Sequence, residues 1–289
     1  MAEPEGPQVA ELDPFTTYLA EQVSDIEEIR KAMENRHRIF IKPLDEADED
    51  GGRRGQGFPP QDPDVIRMRE LLDGGKRLAM VETVSGDKRR AVVPVPGIIT
   101  YEQIAVKQLE DNMKNSPWWP WLQTAPGVGA KTLARLLAAI RDPRWHYEGD
   151  RRRTLAELRS YCGMDVTDDG TAPRRMRGVK VNWNPEARIR LWVIGGTCLK
   201  YTGTSRYKDT YYAARVHHEA AVHKVPCLRC GPKGNPATTG SPLSKGHIHA
   251  RATRAMTKHV LRDLWLEARR LRGEQVTVEP PEPGLRPAA

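Results

Sequence analysis

Between residues 16 and 36 the apolar positions Leu19, Val23, Ile26, Ile29 and Met33 recur at three- and four-residue steps, the stripe of an amphipathic helix. Arg38 to Ile41 then reads as a short strand. Residues 45–64 are polar and rich in Gly, Pro and Asp; they bury too little to order themselves and predict a disordered loop. Two β-prone runs follow within 77–95, separated by Ser85-Gly86-Asp87, which predicts a hairpin.

From Tyr101 the pattern turns helical. Thr100 is placed to cap a helix carrying Ile104, Val106, Leu109 and Met113, with Gln103 completing a capping box. Residues 131–141 form a second helix that stops before Asp142-Pro143, and 154–162 a third, opened by Thr154 and ended by Gly163. Residues 164–182 are an Arg-rich loop. Asn184-Pro185 opens a helix whose apolar face is read as Ile189, Trp192, Val193, Gly196 and Leu199. Another starts at Ser205 and runs to about His223, and 250–272 forms the last. The predicted fold is mainly α with a small α+β N-terminal region (1–99), a helix-hairpin-helix body (100–203), a helical region with a Cys/His loop (204–274) and a disordered tail (275–289).

Charge sharpens this picture. The 289 residues carry a net charge of +8, but the first fifty hold 14 acidic and 5 basic side chains, leaving 24 acidic and 41 basic over 51–289, a net +17. A body so basic points to a polyanionic partner, with the acidic head as a shield or competitor. No apolar run approaches the length of a membrane span, and the acidic N-terminus lacks the features of a secretory signal, so a cytoplasmic protein is expected. Four cysteines are too few for a disulfide scaffold and read as buried thiols or metal ligands.

Three segments carry candidate chemistry. In Ala125-Pro126-Gly127-Val128-Gly129-Ala130-Lys131, two glycines around one apolar residue permit a tight reversal that brings backbone N–H groups near a phosphate. Gly127, Val128, Gly129 and Lys131 are therefore candidate DNA contacts, in the manner of a helix-hairpin-helix module; a bend that uses Gly for geometry alone is the other reading. A nucleotide-binding P-loop is excluded, because its glycines belong six and one positions before the Lys.

Second, Cys227-Leu228-Arg229-Cys230 followed by Gly246-His247-Ile248-His249 suits a structural zinc ion held by Cys227, Cys230 and His247, with His249 or His223 as the fourth ligand. Two unligated thiols, with His247 or His249 capping the last helix, are the alternative. Third, Arg251, Arg254, Lys258 and Arg262 form a basic row on the last helix, opposite Met256, Val260, Leu264 and Ala268, and such a row can follow a phosphate backbone. Arg151–Arg153 and Arg174, Arg175 and Arg177 add two basic clusters in loops, and Tyr207, Tyr211 and Tyr212 are either core or base-stacking side chains.

Residues from about 118 to 270 resemble the C-terminal domain of the insertion-sequence-110 family of transposases. The resemblance is carried by Ala125-Pro126-Gly127-Val128-Gly129 with the helix after it, by Arg141-Asp142-Pro143, by Leu158-Arg159-Ser160-Tyr161-Cys162-Gly163-Met164, by the helix with Arg188 and Leu191, and by Arg206 to Arg215 and Lys258 to Trp265. It implies DNA binding, in transposition or recombination, by a homo-oligomer with a guide or structured RNA as a further partner. The family's N-terminal nuclease domain uses metal-binding acids, so magnesium enters only if the chain is catalytic. Residues 1–115 are short for that domain, and no serine precedes Gly170 where the family's catalytic serine is expected; Thr171 is the nearest hydroxyl. The catalytic residues are thus unassigned. The competing expectation is a catalytically inactive, zinc-stabilised scaffold that binds nucleic acid or protein.

Overall fold

The computed structural model describes residues 10–43, 55–82, 86–146, 151–166, 172–175, 178–228, 230–231 and 235–276. It is mainly α, with two small antiparallel sheets of two strands each. The chain divides into two compact units, one of residues 18–112 and one of 1–17 with 113–289.

The first unit contains most of α1 (Pro14–Ile41), then α2 (Pro63–Asp73), β1 (Gly74–Glu82), β2 (Lys88–Pro96) and α3 (Ile98–Met113). Leu19, Ala20 and Val23 of α1 are buried, as are Ala105 and Leu109 of α3, and Arg30 of α1 is ion-paired with Glu102 of α3. The expected hairpin forms, with Gly74 opposite Pro96 and Glu82 opposite Lys88.

The strand expected at 38–41 is instead the last turn of α1. Its end carbonyls find donors in the returning chain, Ile39 O from Gln56 N (3.0 Å) and Phe40 O from Phe58 N (2.8 Å), while the Phe40 and Phe58 rings pack at 5.5 Å. Tertiary packing here overrides the β-branched character of Ile39 and Ile41. Within the stretch expected as a disordered loop, 45–54 lies outside the described residues; α2 begins at its far end, capped by Asp62 with Pro63 in its first turn. Helix α3 starts ahead of Thr100, with Tyr101 N bonded to Gly97 O, so Thr100 is not its cap.

The second unit holds α4 (Trp119–Thr124), α5 (Ala130–Ile140), β3 (Trp145–His146), β4 (Arg151–Arg152), α6 (Leu155–Tyr161), α7 (Pro185–Lys200), α8 (Arg206–Glu219) and α9 (Lys245–Leu271). The N-caps anticipated at Thr154, Asn184 and Ser205 are present, each side chain accepting from an N–H in the first turn. Helix α8 ends at Glu219, short of His223, because the chain there enters a β-ribbon.

Helix α9 is the axis of this unit. Ile248, Ala252, Thr253, Met256, Thr257, Val260, Leu261, Leu264, Trp265 and Ala268 are all buried, a double stripe that takes α7 on one side and α8 on another. Its opposite rows are therefore half-covered as well. Helix α7 reverses the expected face: Ala187, Leu191, Ile194, Gly195 and Cys198 are buried, and Ile189, Trp192 and Val193 are exposed. Gly195 is the reason. A Cβ there would stand 3.0 Å from Thr253 Cγ2 and 3.3 Å from Thr257 Cγ2, so the helices approach at the smallest residue rather than at the bulkiest.

Candidate metal centre

The segment between α8 and α9 folds back on itself as an irregular ribbon. Val222 bridges Pro242 and Cys227 bridges Ala237. Main-chain bonds lock it: His223 N to Ser241 O (2.9 Å), Gly240 N to His223 O (2.8 Å), Cys227 N to Ala237 O (3.0 Å) and Ala237 N to Cys227 O (2.8 Å). Cys227-x-x-Cys230 turns tightly at the ribbon's end, with Cys230 N on Cys227 O. Ser244 then caps α9 and sets His247 in its first turn, His247 N bonding to Ser244 Oγ at 3.2 Å. Ribbon, turn and helix start thus each deliver a side chain to one point.

Those side chains are His223, Cys227, Cys230 and His247, whose donor atoms lie within 4.8 Å of one another. His247 Nδ1 is 3.3 Å from Cys230 Sγ and 3.8 Å from Cys227 Sγ. Bond lengths of about 2.3 Å to sulfur and about 2.0 Å to nitrogen give tetrahedral edges of roughly 3.3–3.8 Å, so these separations match those around a single ion. His223 is buried, and its Nε2 has no hydrogen-bond partner. A buried imidazole nitrogen without a partner is costly, and a cation at the centre removes that cost.

The donor set corrects the ligands expected from sequence in one position. His249 is not part of the group; its Nδ1 is 2.7 Å from Tyr211 Oη and its ring packs against Trp192 and Tyr211. Two residues on from His247 along a helix, it projects to a different side of α9. His223 takes its place. Ser244, whose Oγ lies 3.0 Å from Cys230 Sγ, is missing from the expected set, although a Ser three residues before His247 is a legible cap signal. The other cysteines are of another kind: burial pushes Cys162 up to about 12 and Cys198 up to about 11, so both remain inert thiols.

The candidate nucleic-acid contacts are more dispersed. In the Gly127–Gly129 bend, Val128 is buried and its N–H bonds to Ala125 O (3.2 Å), while Gly129 N bonds to Thr132 Oγ1 (3.1 Å). Gly127, at φ +83°, rests against Cys198 of α7. Two of the amides expected to grip phosphate are therefore bonded inside the turn, and the bend serves packing; Lys131 is half-buried beside it.

On α9, Arg254 donates to the carbonyls of Gly163 and Asp165, pinning the loop after α6, and burial lowers its pKa to about 10. Arg251 is half-buried; burial lowers its pKa, and the Cys227 and Cys230 sulfurs act in the opposite direction. Lys258 is half-buried and Arg262 buried, so the row is part of the packed surround rather than an open basic face. Of the two clusters expected in loops, Arg151 and Arg152 form β4 instead, with Arg151 holding Glu157 and Arg153 buried over the Tyr161 ring, whereas Arg174 and Arg175 are exposed. Arg177 and Thr171 lie outside the described residues. Tyr207 and Tyr211 are core side chains; Tyr212 is exposed.

Among the described residues no helix is long and apolar enough to cross a membrane. No protein-family model, curated protein or solved structure matches the chain.

Proposed function

We propose that this is a zinc-stabilised, sequence-tolerant DNA-binding protein whose metal ion is structural. The observation that carries the metal half is the convergence of His223, Cys227, Cys230 and His247, with His223 buried and its Nε2 without a hydrogen-bond partner. Two thiolates and two imidazoles suit zinc, and four protein donors close its coordination, leaving no position for a reacting water. The ion's role is to tie the 221–243 ribbon to the start of α9.

The polymer half rests on charge: the net +17 over residues 51–289, with Arg174 and Arg175 exposed in a loop. The transposase-like text of 118–270 favours DNA over RNA. Binding of a random-sequence duplex, followed by fluorescence anisotropy across a salt series, tests this. Affinity that falls steeply with salt and varies little with sequence is expected. No binding at low salt, or a clear preference for single-stranded RNA, would overturn the assignment.

A further inference from the structure

The β1–β2 hairpin has two unlike faces. Residues directly opposite in an antiparallel pair point to the same side, so Lys76–Pro94, Met80–Arg90 and Glu82–Lys88, with Val92, share one face, and Ala79–Ala91 and Val81–Arg89, with Val93, share the other. Lys76, Met80, Glu82, Lys88, Arg90 and Val92 on the first face are all exposed, Met80 at 59% and Val92 at 63%. Ala79, Val81, Ala91 and Val93 on the second are half-covered. Two apolar side chains, diagonal neighbours across the ladder, therefore stand in water between cations at either end of one open face. A ribbon of two strands is marginally stable by itself, and apolar side chains left in water do nothing to hold it.

Charge and shape select what fits this face. Residues 74–96 hold five basic and two acidic side chains, and the open face carries Lys76, Lys88 and Arg90 against Glu82. Arg90 pairs with Met80, four residues along β1 from Lys76, so the two cations stand roughly 13 Å apart along the ribbon. That separation is close to the width of the major groove of B-DNA, about 12 Å, which admits a two-stranded ribbon. Extension of the sheet by a second copy is disfavoured along β2, because Pro94 and Pro96 offer no N–H to an added strand.

We propose that the open face of the β1–β2 ribbon is a contact surface for duplex DNA and lies in the major groove, with Lys76, Lys88 and Arg90 on the phosphates and Met80 and Val92 against the groove floor. The proposal rests on the DNA-binding reading and names a surface that carries it. Apolar side chains form no hydrogen bonds with base edges, which keeps recognition sequence-tolerant. Glu82, on the same face, repels the phosphates and limits the affinity.

The test uses the full-length chain with zinc supplied, a random-sequence duplex and a salt series. The Lys76→Ala, Lys88→Ala, Arg90→Ala triple variant removes three phosphate contacts, so its slope of log affinity against log salt should be shallower than the native slope by about 2.7. Glu82→Gln should have the opposite sign and bind about fivefold more tightly. All four positions are exposed, so zinc content and circular dichroism should match the native chain. A native salt slope in the triple variant, or no gain in Glu82→Gln, overturns the ribbon assignment and leaves the DNA reading standing; a native chain that binds no duplex removes the DNA reading and the ribbon assignment with it. Should the triple variant not fold, the native chain answers instead: duplex should slow hydrogen exchange over 88–96 and not in α2, and unchanged exchange contradicts the proposal. Self-association of the native chain that Val92→Ser abolishes would assign the face to a second copy and overturn it.

Discussion

Cys230 Sγ and His247 Nδ1 lie 3.3 Å apart although seventeen positions separate them in sequence. That approach exists because Ser244 starts α9 at the foot of the ribbon, so the helix's first turn faces the Cys-x-x-Cys turn. With His223 opposite, the His223 and His247 rings stand 5.3 Å apart, and among the described residues of the ribbon the buried apolar side chains are Cys227 and Leu243. Cys230→Ser should therefore abolish zinc binding and loosen 221–243 selectively, read as faster hydrogen exchange there than in α5 or α7. His249→Gln should leave the zinc content unchanged, because His249 belongs to the Tyr211 contact.

Gly127 and Gly129 should respond differently to the same substitution. Gly127 has φ +83°, and a Cβ would stand 2.6 Å from Cys198 Cα, a backbone atom that cannot yield cheaply. Gly129 has φ −93°, and its added Cβ would meet only Thr132 Oγ1 at 3.7 Å. Gly127→Ala should cost roughly 2–4 kcal/mol in urea unfolding, from left-handed strain plus the clash. Gly129→Ala should cost little. Comparable losses at both would contradict the packing role assigned to the bend.

Asp142 is fully buried and receives Arg272 Nε at 2.9 Å and the Arg144 N–H at 2.7 Å. Burial holds its carboxyl above the usual 3.8, with Arg272 pulling the other way. Arg272→Ala removes the guanidinium paired with that buried charge and should cost about 3–5 kcal/mol at neutral pH. With the opposing pull gone, Asp142 takes up a proton at higher pH than in the native chain. The deficit of the variant should therefore shrink on acidification, which denaturant melts at a series of pH values would reveal.

Helix α6 predicts an acid limb of its own. Glu157 accepts from Arg151 and from the N–H and hydroxyl of Thr154, which together hold its pKa at about 2 against an ordinary 4.5. A carboxylate depressed in the folded state adds stability that is complete above pH 4.5 and is lost as the pH falls towards 2. Both partners are well exposed, so the effect is small. Thr154→Ala should cost about 1 kcal/mol at neutral pH, and Glu157→Gln should flatten the stability curve below pH 4.5 while leaving its shape above pH 5 unchanged.

Much of the second unit was legible because its helices announce their own starts: Thr154 with Glu157, Asn184 with Pro185, and Ser205 are local signals that no tertiary contact had to supply. Which face of a helix is buried proved less legible. On α7 the bulky Ile189, Trp192 and Val193 lost the inward position to Gly195, since a periodic count rewards size and a close helix crossing rewards its absence. The basic row of α9 misled for a related reason: a central helix packed on several sides buries the stems of its arginines, and Arg254 spends its donors on loop carbonyls. At the metal centre the Cys-x-x-Cys turn and His247 were readable from spacing, whereas the choice between His223 and His249 needed the ribbon, whose pairing of 222 with 242 brings His223 into reach.

Zinc content per chain decides the central claim most directly. Protein purified under reducing conditions and assayed by elemental analysis should hold close to one zinc per chain, and the His223→Ala, Cys227→Ser double variant close to none. A native chain with negligible zinc, and no uptake when zinc is supplied to the reduced protein, would contradict a metal centre built from these four residues.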